Sequence, residues 1–278
     1  MTGTLYLCAT PIGNLGDITS RVLDTLREVD MIAAEDTRNS LKLLNHFAIK
    51  TPLTSYHEYN KVEKAEQILD WLRDGKNIAL ITDAGTPAIS DPGEVLVERC
   101  LKEGIPVTSL PGCCACITAL TLSGLPTRRF CFEGFLPSDK KEKKLILEEL
   151  KGETRTIILY EAPHHLRRTL AELYEILGER RITLCRELTK RFETIFPTTI
   201  EGAIAYYEKN DPRGEYVLVV EGMDRENIKR EEQKKWTELS IEEHMQIYEE
   251  QGMERKEAMK KVASDRGISK REVYQALL

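Results

Sequence analysis

Short apolar runs alternate with helical patterns along the first half of the chain. Residues 4–9 read as a buried strand, and apolar positions then recur at helical spacing from Ile18 to Val29. A second amphipathic helix over 62–72 ends at Gly75. Each helix is followed by another apolar run. This order favours strand-to-helix crossovers and therefore a mainly parallel sheet.

The second half of the chain repeats this alternation with denser charge. Four further apolar segments appear, FCFEGF, TIILY, ITLCRE and EYVLVV, and we expect helices near Lys140, His165 and Thr199. These segments predict a second α/β domain. The segment LPTRR is the expected hinge, and a cleft between two such domains is a common place for a ligand.

The chain is strongly charged from Arg225 onwards and has no strand-like run there. Ser240 with Glu243, and Ser269 with Glu272, match capping boxes that begin short helices. The predicted fold class is α/β, with two α/β domains followed by a small helical module. The predicted boundaries are 1–124 for the first domain, 125–224 for the second, and 225–278 for a charged linker with an RNA-binding-like module.

Composition narrows the class of protein. A chain of 278 residues with 41% hydrophobic content is long enough for two compact cores. No apolar run approaches the ~20 residues that cross a bilayer, and the start lacks an export signal, so we expect a cytoplasmic protein with no membrane partner. Seven cysteines suit a reducing compartment. The net charge of -6 disfavours general coating of nucleic acid, and we expect no DNA partner, but it leaves room for a local basic face.

Two loops rich in glycine follow predicted strands. TPIGNLGD matches neither the dinucleotide fingerprint nor the Walker A pattern, so it predicts a close backbone approach to a ligand or an ordinary turn. DAGTPAISDPG lies at the carboxyl end of a strand, where open α/β sheets bind ligands. Asp83 could accept hydrogen bonds there and Ala84 and Gly85 keep the wall low for a flat ring, unless Asp83 only caps the turn.

Cys113 and Cys116 have C-x-x-C spacing at the start of a helix, where the helix dipole lowers a thiol pKa. A zinc site needs further ligands, and no second cysteine pair or close histidine pair completes one. The neighbouring residues are apolar. We therefore predict no metal site.

Acidic and basic residues occur together after two further predicted strands. AEDTR contains Glu35, Asp36 and Arg38, and RELTKRFE contains Glu187 and Lys190 together with Arg186 and Arg191. Such groups could orient and deprotonate a hydroxyl, or form an ion-pair network between domains. His164 and His165 are interpreted as helix-start residues rather than as a base.

Positive charge is concentrated in the second domain. If these side chains gather near the cleft they would bind a polyanion, although a solvated helix face is the ordinary reading of KKEKK. The residues are Arg128, Arg129, Lys140, Lys141, Lys143, Lys144, Arg167 and Arg168.

Eight motifs occur in order between about Tyr6 and Glu221: YLCATPIGNLGDIT, IAAEDTR, ITDAGTPAISDPG, LPGCCACITALTLSGLPT, FEGFLP, YEAPHHL, RELTKRFE and GEYVLVVEG. Together they resemble the tetrapyrrole methylase superfamily, and within it the RsmI type of 16S ribosomal RNA (cytidine-2'-O)-methyltransferase.

The resemblance implies a homodimer with S-adenosylmethionine in the cleft between two α/β domains, acting on a cytidine in the decoding region of 16S ribosomal RNA in the small ribosomal subunit. From the charge pattern we expect RNA contacts through the basic residues above and through Arg38, Arg186 and Arg191. The cofactor contacts that the resemblance implies are Pro11, Asp83, Ala84, Gly85, Cys114, Ala115, Glu161 and Leu188.

The chain departs from the resembled family after Pro111-Gly112, where it has three cysteines at 113, 114 and 116. A thiol donates hydrogen bonds more weakly than a hydroxyl. Two other readings stay open. One is a tetrapyrrole C-methyltransferase, which AEDTR, RELTKRFE and the tail disfavour. The other is an RNA-binding ribosome-assembly factor without catalysis, for which the three cysteines are the only hint.

Methyl transfer to a ribose hydroxyl is an in-line displacement, in which alignment supplies ~7–11 kcal/mol. A positioned base adds about 10²–10⁴-fold. The candidates for base or orienting roles are Glu35, Asp36, Glu187 and Lys190. Lys190 qualifies as a base only if burial lowers its pKa.

Overall fold

The computed structural model describes residues 1–224, 233, 236 and 239–278. Two five-stranded sheets and a helical tail make up this part of the chain. The two sheets lie on either side of residue 124, and the domain boundaries at 124 and 224 stay predictions. The charged linker expected after residue 224 begins with residues 225–232, which lie outside the described residues.

The first sheet has the strand order β3-β2-β4-β1-β5, and all neighbouring strands run parallel, as predicted. Its strands are β1 (Leu5–Cys8), β2 (Met31–Ala34), β3 (Leu53–Ser55), β4 (Ile78–Ile81) and β5 (Val107–Leu110). The helices between and after them are α1 (Ser20–Glu28), α2 (Thr37–His46), α3 (Lys61–Arg73), α4 (Gly93–Lys102) and α5 (Ala115–Leu122).

Both faces of this sheet are covered, which explains why the central strand β4 is apolar at every position. Leu69 of α3 and Leu96 of α4 pack on one face. Leu26 of α1 and Leu44 of α2 pack on the other. The carboxyl ends of the strands are left free for the loops that carry the charged motifs.

The second sheet has the order β6-β7-β10-β8-β9 and is mixed. β6 and β7 are parallel, whereas β10 runs antiparallel to both β7 and β8, and β9 runs antiparallel to β8. The strands are β6 (Phe130–Phe135), β7 (Thr156–Glu161), β8 (Arg181–Arg186), β9 (Thr194–Thr199) and β10 (Tyr216–Val220), and the helices are α6 (Lys140–Lys151), α7 (Leu166–Leu177) and α8 (Ile200–Lys209).

Helix α5 joins the two sheets. Helices α6, α7 and α8 cover one face of the second sheet, and α5 packs against the other face. Buried side chains of α5, β7, β8 and β10 form one apolar cluster, here called the seam: Cys116, Ala119, Leu120, Ile158, Cys185, Val217 and Val219. The Thr183 hydroxyl also donates a 2.8 Å hydrogen bond to the carbonyl of Ser123. The seam therefore holds α5, which follows the last strand of the first sheet, on the second sheet, and Ile12 from the loop after β1 packs against it.

Three elements were not predicted from the sequence. Helix α2 and strand β3 lie between residues 37 and 55, where β3 has only three residues, all half-buried, and leaves no periodic signal. Strand β9 contains Pro197, and a proline is tolerated only because this strand is at the sheet edge. The helix expected near Thr199 begins at Ile200, with the Thr199 hydroxyl capping it.

The tail contains three short helices in the described residues. They are α9 (Ile241–Glu250), α10 (Arg255–Arg266) and α11 (Lys270–Ala276). Both predicted capping boxes are confirmed, at Ser240 with Glu243 and at Ser269 with Glu272. Met245, Ala258, Val262, Ala263 and Val273 form a core of the tail's own. No helix in the described ranges is long and apolar enough to cross a bilayer.

We predict that Ile158→Ala, which removes a fully buried side chain from the seam, lowers the free energy of unfolding by ~2–5 kcal/mol because it leaves a cavity. Urea unfolding measures the change. Ile117→Ala on α5 is the matched control, since Ile117 is 44% exposed and its loss should change stability by less than ~0.5 kcal/mol. Equal destabilisation by the two variants would contradict the assignment of the seam.

Candidate active site

A pocket of about 340 Å³ opens between the two sheets, beside the seam. Loops from the first sheet form one wall, and the ends of β7, β8 and β10 form the other. Its lining includes Ile12, Glu35, Asp83, Ala84, Gly85, Thr86, Ile89, Cys114, Ala115, Phe135, Tyr160, Glu161, Glu187, Leu188, Lys190, Glu215 and Val217. This volume is within the range of small-molecule sites.

The two glycine-bearing loops are joined at the floor of this pocket. Thr10 and Gly85 exchange backbone hydrogen bonds of 2.9 and 3.0 Å. Gly85 has φ +84, and a Cβ there would lie 3.3 Å from Ile12 and 3.5 Å from the Cys113 carbonyl. The position therefore requires glycine, and it brings bare backbone to the pocket surface.

The rest of the second loop has an unusual backbone. Ala88 and Ser90 have φ +66 and +65, in the left-handed region that costs non-glycine residues energy. The Asp91 carboxylate holds this shape by accepting hydrogen bonds from the amides of Ala88, Ile89 and Gly93. Asp91 is thus a structural residue within the site.

The charged residues after β2 and β4 contact each other. Asp83 accepts hydrogen bonds from the Asp36 amide and the Asn39 side chain, and burial raises the pKa of Asp83. Glu35 lines the pocket and accepts a 2.6 Å hydrogen bond from the Thr82 hydroxyl. The Asp36 side chain instead caps α2 and pairs with Arg38, which lowers its pKa to about 2.

On the opposite wall, ion pairs hold a carboxylate and an ammonium in place. Lys190 Nζ lies 2.9 Å from Glu187 and 2.8 Å from Glu215. Glu187 has φ +52, and a Cβ on Gly214 would collide with its side chain. A Cβ on Gly13 would likewise lie 2.3 Å from the Lys190 side chain. The glycine of TPIGN therefore makes room for Lys190.

The condition for Lys190 to act as a base is not met. Burial works to lower its pKa, but the ion pairs with Glu215 and Glu187 raise it above the ordinary value. Burial also works to raise the pKa of Glu187, but the Glu215 amide and Lys190 hold it below the usual range. These directions favour an ammonium on Lys190 and a carboxylate on Glu187 at neutral pH. They do not support Lys190 as a base, and the roles of both residues stay predictions.

The sulfur contact at the start of α5 joins a different pair from the one with C-x-x-C spacing. Cys114 and Cys116, rather than Cys113 and Cys116, have their sulfurs 3.3 Å apart. The Cys113 thiol donates to the Asp17 carbonyl instead. A hydrogen bond from Cys116 lowers the pKa of Cys114, and the same contact raises the pKa of Cys116. The two sulfurs in contact therefore belong to cysteines two positions apart, and not to the cysteines with C-x-x-C spacing.

The pocket brings together most of the residues that the sequence singled out, although their roles stay predictions. Asp83, Ala84, Gly85, Cys114, Ala115, Glu161 and Leu188 all line it, as do Glu35, Glu187 and Lys190. Ile12 lines it in place of its neighbour Pro11, and Asp36 is not part of the lining. The sequence reasoning missed Tyr160, Phe135 and Glu215. Tyr160 sits in the YEAP motif beside Glu161, which was the available signal.

The lining is strongly acidic. Six carboxylates line the pocket, Glu35, Asp83, Asp91, Glu161, Glu187 and Glu215, against one cation, Lys190. Such a site repels phosphate groups and favours a ligand with positive charge, because the low dielectric of a cleft strengthens both effects.

A family model described as tetrapyrrole (corrin/porphyrin) methylases matches residues 4–204. The chain belongs to the tetrapyrrole methylase family. Two proteins called "Ribosomal RNA small subunit methyltransferase I" are similar to this methylase over nearly its whole length. The one from Halalkalibacterium halodurans is 50% identical, covering 98% of this chain and 93% of its own. The one from Bacillus subtilis is 51% identical, covering 99% and 94%.

A further relative aligns with only part of the methylase. The protein of the same name from Thermotoga maritima is 46% identical over 222 residues, which cover 80% of this chain and all of the relative. That relative thus has no counterpart for about a fifth of this chain. The family model also ends at residue 204, before the tail begins.

Solved structures share the fold of the methylase. Diphthine synthase aligns with a TM-score of 0.60 at 12% identity, covering 79% of this chain and 90% of its own. Uroporphyrin-III C-methyltransferase from Thermus thermophilus, complexed with S-adenyl homocysteine, aligns with a TM-score of 0.54 at 18% identity, covering 78% and 97%. At these identities the likeness concerns the fold alone.

None of the basic residues predicted to contact RNA, all of which the structure describes, lines the pocket. Apart from Lys143, they fall into two groups. Arg128, Arg129, Lys140, Lys141, Lys144 and Arg191 are exposed and form no ion pair with a described residue. Arg38, Arg167 and Arg168 pair with Asp36, Asp211 and Glu172, and Arg186 donates to the Phe192 carbonyl.

The prediction that Lys143 contacts RNA is wrong. Its side chain is buried under α7, bonded to Glu172 and the Thr169 hydroxyl. A lysine can be buried in this way because its ammonium is fully paired.

The contact between the Cys114 and Cys116 sulfurs predicts how the alkylation of Cys114 depends on pH. The lowered pKa of Cys114 preserves its thiolate as pH falls, while burial raises the pKa of Cys113. Because the thiolate is the nucleophile, iodoacetamide should alkylate Cys114 with a pH midpoint below that of Cys113. Peptide mass spectrometry across a pH series measures both rates.

The Cys116→Ala variant is the control for this series. It removes the S–H donor, so the Cys114 midpoint should rise towards the ordinary thiol value of about 8.5. Identical midpoints for Cys113 and Cys114 in the unmodified protein would disprove the assignment.

Proposed function

We propose that this chain transfers a methyl group from S-adenosylmethionine to the ribose 2'-hydroxyl of a cytidine in the decoding region of 16S ribosomal RNA. The observation that carries the proposal is the identity of about half the residues, over 98–99% of the chain, with proteins called ribosomal RNA small subunit methyltransferase I. An enzyme with this substrate works in the cytoplasm, on the small ribosomal subunit.

The acidic pocket supports the choice of methyl donor. S-adenosylmethionine supplies, when bound, a methyl group activated by a positively charged sulfonium. Six carboxylates against one ammonium suit that cation. Gly85 lets the backbone approach a flat ring, and Ile12, Ala115, Leu188 and Val217 offer apolar contact. A fold neighbour has been crystallised with the related S-adenyl homocysteine.

Glu187 and Lys190 are proposed to act on the ribose hydroxyl. Their side chains are fixed by the network with Glu215, so they lose little freedom when a substrate binds. The Lys190 ammonium would stabilise negative charge that develops on the 2'-oxygen. The Glu187 carboxylate would accept the proton, and Glu35 on the opposite wall would orient the ligand.

RNA is proposed to bind outside the pocket and to insert one nucleotide. Phosphates would be repelled by the acidic lining but attracted by the six exposed cations of the second domain that form no ion pair with a described residue. Phe135 lines the rim and is 59% exposed, which leaves its ring free to stack on a base. A homodimer, implied by the sequence resemblance, would extend the surface for RNA.

The enzyme assay tests this proposal directly. Purified protein is incubated with radiolabelled S-adenosylmethionine and either small ribosomal subunits from cells lacking the enzyme or a porphyrinogen. We expect label in one cytidine of 16S ribosomal RNA, resistant to alkaline hydrolysis because the 2'-oxygen is blocked. Label in the porphyrinogen would instead support the tetrapyrrole C-methyltransferase. No donor binding by calorimetry would support a non-catalytic factor.

In the same assay Glu187→Gln should lower kcat by about 10²–10⁴-fold, because it removes the proton acceptor. Donor affinity should stay within ~3-fold, since the substitution leaves the shape of the wall unchanged. Glu175→Gln, at an exposed position on α7, is the matched control and should leave kcat unchanged. A Glu187→Gln enzyme with full kcat would remove Glu187 from the mechanism.

The tail is proposed to add affinity for RNA, without taking part in catalysis. Lys256, Lys260 and Arg271 are exposed on α10 and α11 and form no ion pair with described residues. Reversing all three to glutamate should lower kcat/KM for subunits at least ~10-fold and flatten its salt dependence. Reversing the exposed lysines 42, 50 and 76 of the first domain matches the charge change. Equal loss in both triple variants would indicate a net-charge effect only.

A further inference from the structure

Cys114 and Cys116 differ from the other cysteines of the chain in their contact with each other. Their sulfurs lie 3.3 Å apart, in direct contact, at the first turn of α5. All seven cysteines are free thiols. A disulfide needs an S–S distance of about 2.05 Å, so both side chains would have to rotate to bring the two sulfurs together.

The two thiols have unequal access to solvent. Cys114 is half-buried and lines the pocket, whereas Cys116 is 5% exposed and belongs to the seam. The contact with Cys116 also favours the thiolate of Cys114, while burial raises the pKa of Cys8, Cys100, Cys131 and Cys185. An accessible nucleophilic thiol beside a buried second thiol is the arrangement of a redox-sensitive pair.

We propose that Cys114 and Cys116 form a reversible disulfide that weakens binding of the methyl donor, so that the pocket is open in the reduced protein and restricted in the oxidised one. The effect on the donor rests on the proposed function, whereas formation of the disulfide does not.

The oxidant is a low-molecular-weight disulfide of the glutathione class. The Cys114 thiolate attacks one sulfur of the oxidised tripeptide, which forms a mixed disulfide and expels one glutathione thiolate. The Cys116 sulfur then loses its proton and attacks the Cys114 sulfur, which expels the second glutathione. The protein loses two protons and two electrons, which convert one oxidised glutathione into two reduced ones. A dithiol reductant reverses both steps.

Several contacts transmit the change to the pocket wall. The Cys116 amide donates a 3.2 Å hydrogen bond to the hydroxyl of Tyr160, which lines the pocket from the second sheet. The Cys114 carbonyl accepts from the Thr118 hydroxyl. Drawing the two sulfurs together would turn the Cys114 side chain away from the pocket and strain the first turn of α5. The wall formed by Cys114 and Ala115 would then change shape.

The test uses the full chain with oxidised glutathione, followed by removal of the oxidant. Peptide mass spectrometry should show the 113–116 region lighter by two hydrogens, with a Cys114–Cys116 linkage. Isothermal titration calorimetry should show S-adenosylmethionine binding at least ~10-fold more weakly than in the reduced protein, with recovery after dithiothreitol.

Two substitutions serve as matched controls. Cys116→Ser, with Cys116→Ala as a second variant, should bind the donor in the reduced state and stop at the mixed disulfide, one glutathione heavier. Cys113→Ser should keep the complete response, because its sulfur contacts the Asp17 carbonyl and not the pair. A thermal melt checks that each variant is folded.

The outcomes separate the two proposals. If the disulfide forms and donor affinity does not change, or if glutathione stays on Cys114 of the unmodified protein, the redox proposal is overturned. If the reduced protein binds no donor, the proposed function fails, and the linkage data still decide whether the pair is a modification site.

Discussion

The apolar contact between α5 and the second sheet is the constraint on which the rest of the site depends. Ala119 and Leu120 of α5 pack on Ile158, Cys185 and Val219, so α5, which follows β5 of the first sheet, is held on the second sheet. The pocket lies beside this packing, between the strand ends of the two sheets. Cys114 and Ala115 at the start of α5 form part of its wall, so the packing of α5 helps to set the shape of the pocket.

Charge is distributed to match this geometry. Six carboxylates line the pocket, whereas the exposed cations of the second domain that form no ion pair with a described residue lie outside it. One molecule can thus attract a cationic small ligand and a polyanion without either occupying the other's place. The net charge of -6 does not show this separation, because it sums every charged residue of the chain.

Backbone strain is concentrated at the same site. Ala88, Ser90, Glu187 and Thr189 are non-glycine residues with positive φ, and they all lie in the two loops that face the pocket or flank it. Such conformations persist only where surrounding contacts hold them, here the Asp91 carboxylate and the Glu187–Lys190–Glu215 network. The loops are therefore shaped before a ligand arrives, which lowers the entropic cost of binding.

The sequence by itself determined most of the elements, the parallel first sheet, the capping boxes of the tail and many of the pocket residues, but not α2, β3 or β9. It could do so because apolar periodicity, glycine and cap residues act locally, and because ordered motifs identify a family. Only the tertiary structure decided which side chains pair with each other and which line the pocket. It buried Lys143 against Glu172, turned Asp36 towards Arg38, placed Ile12 rather than Pro11 in the lining and paired Cys114 with Cys116. Those outcomes depend on contacts between distant segments and on side-chain directions, which spacing along the chain does not contain.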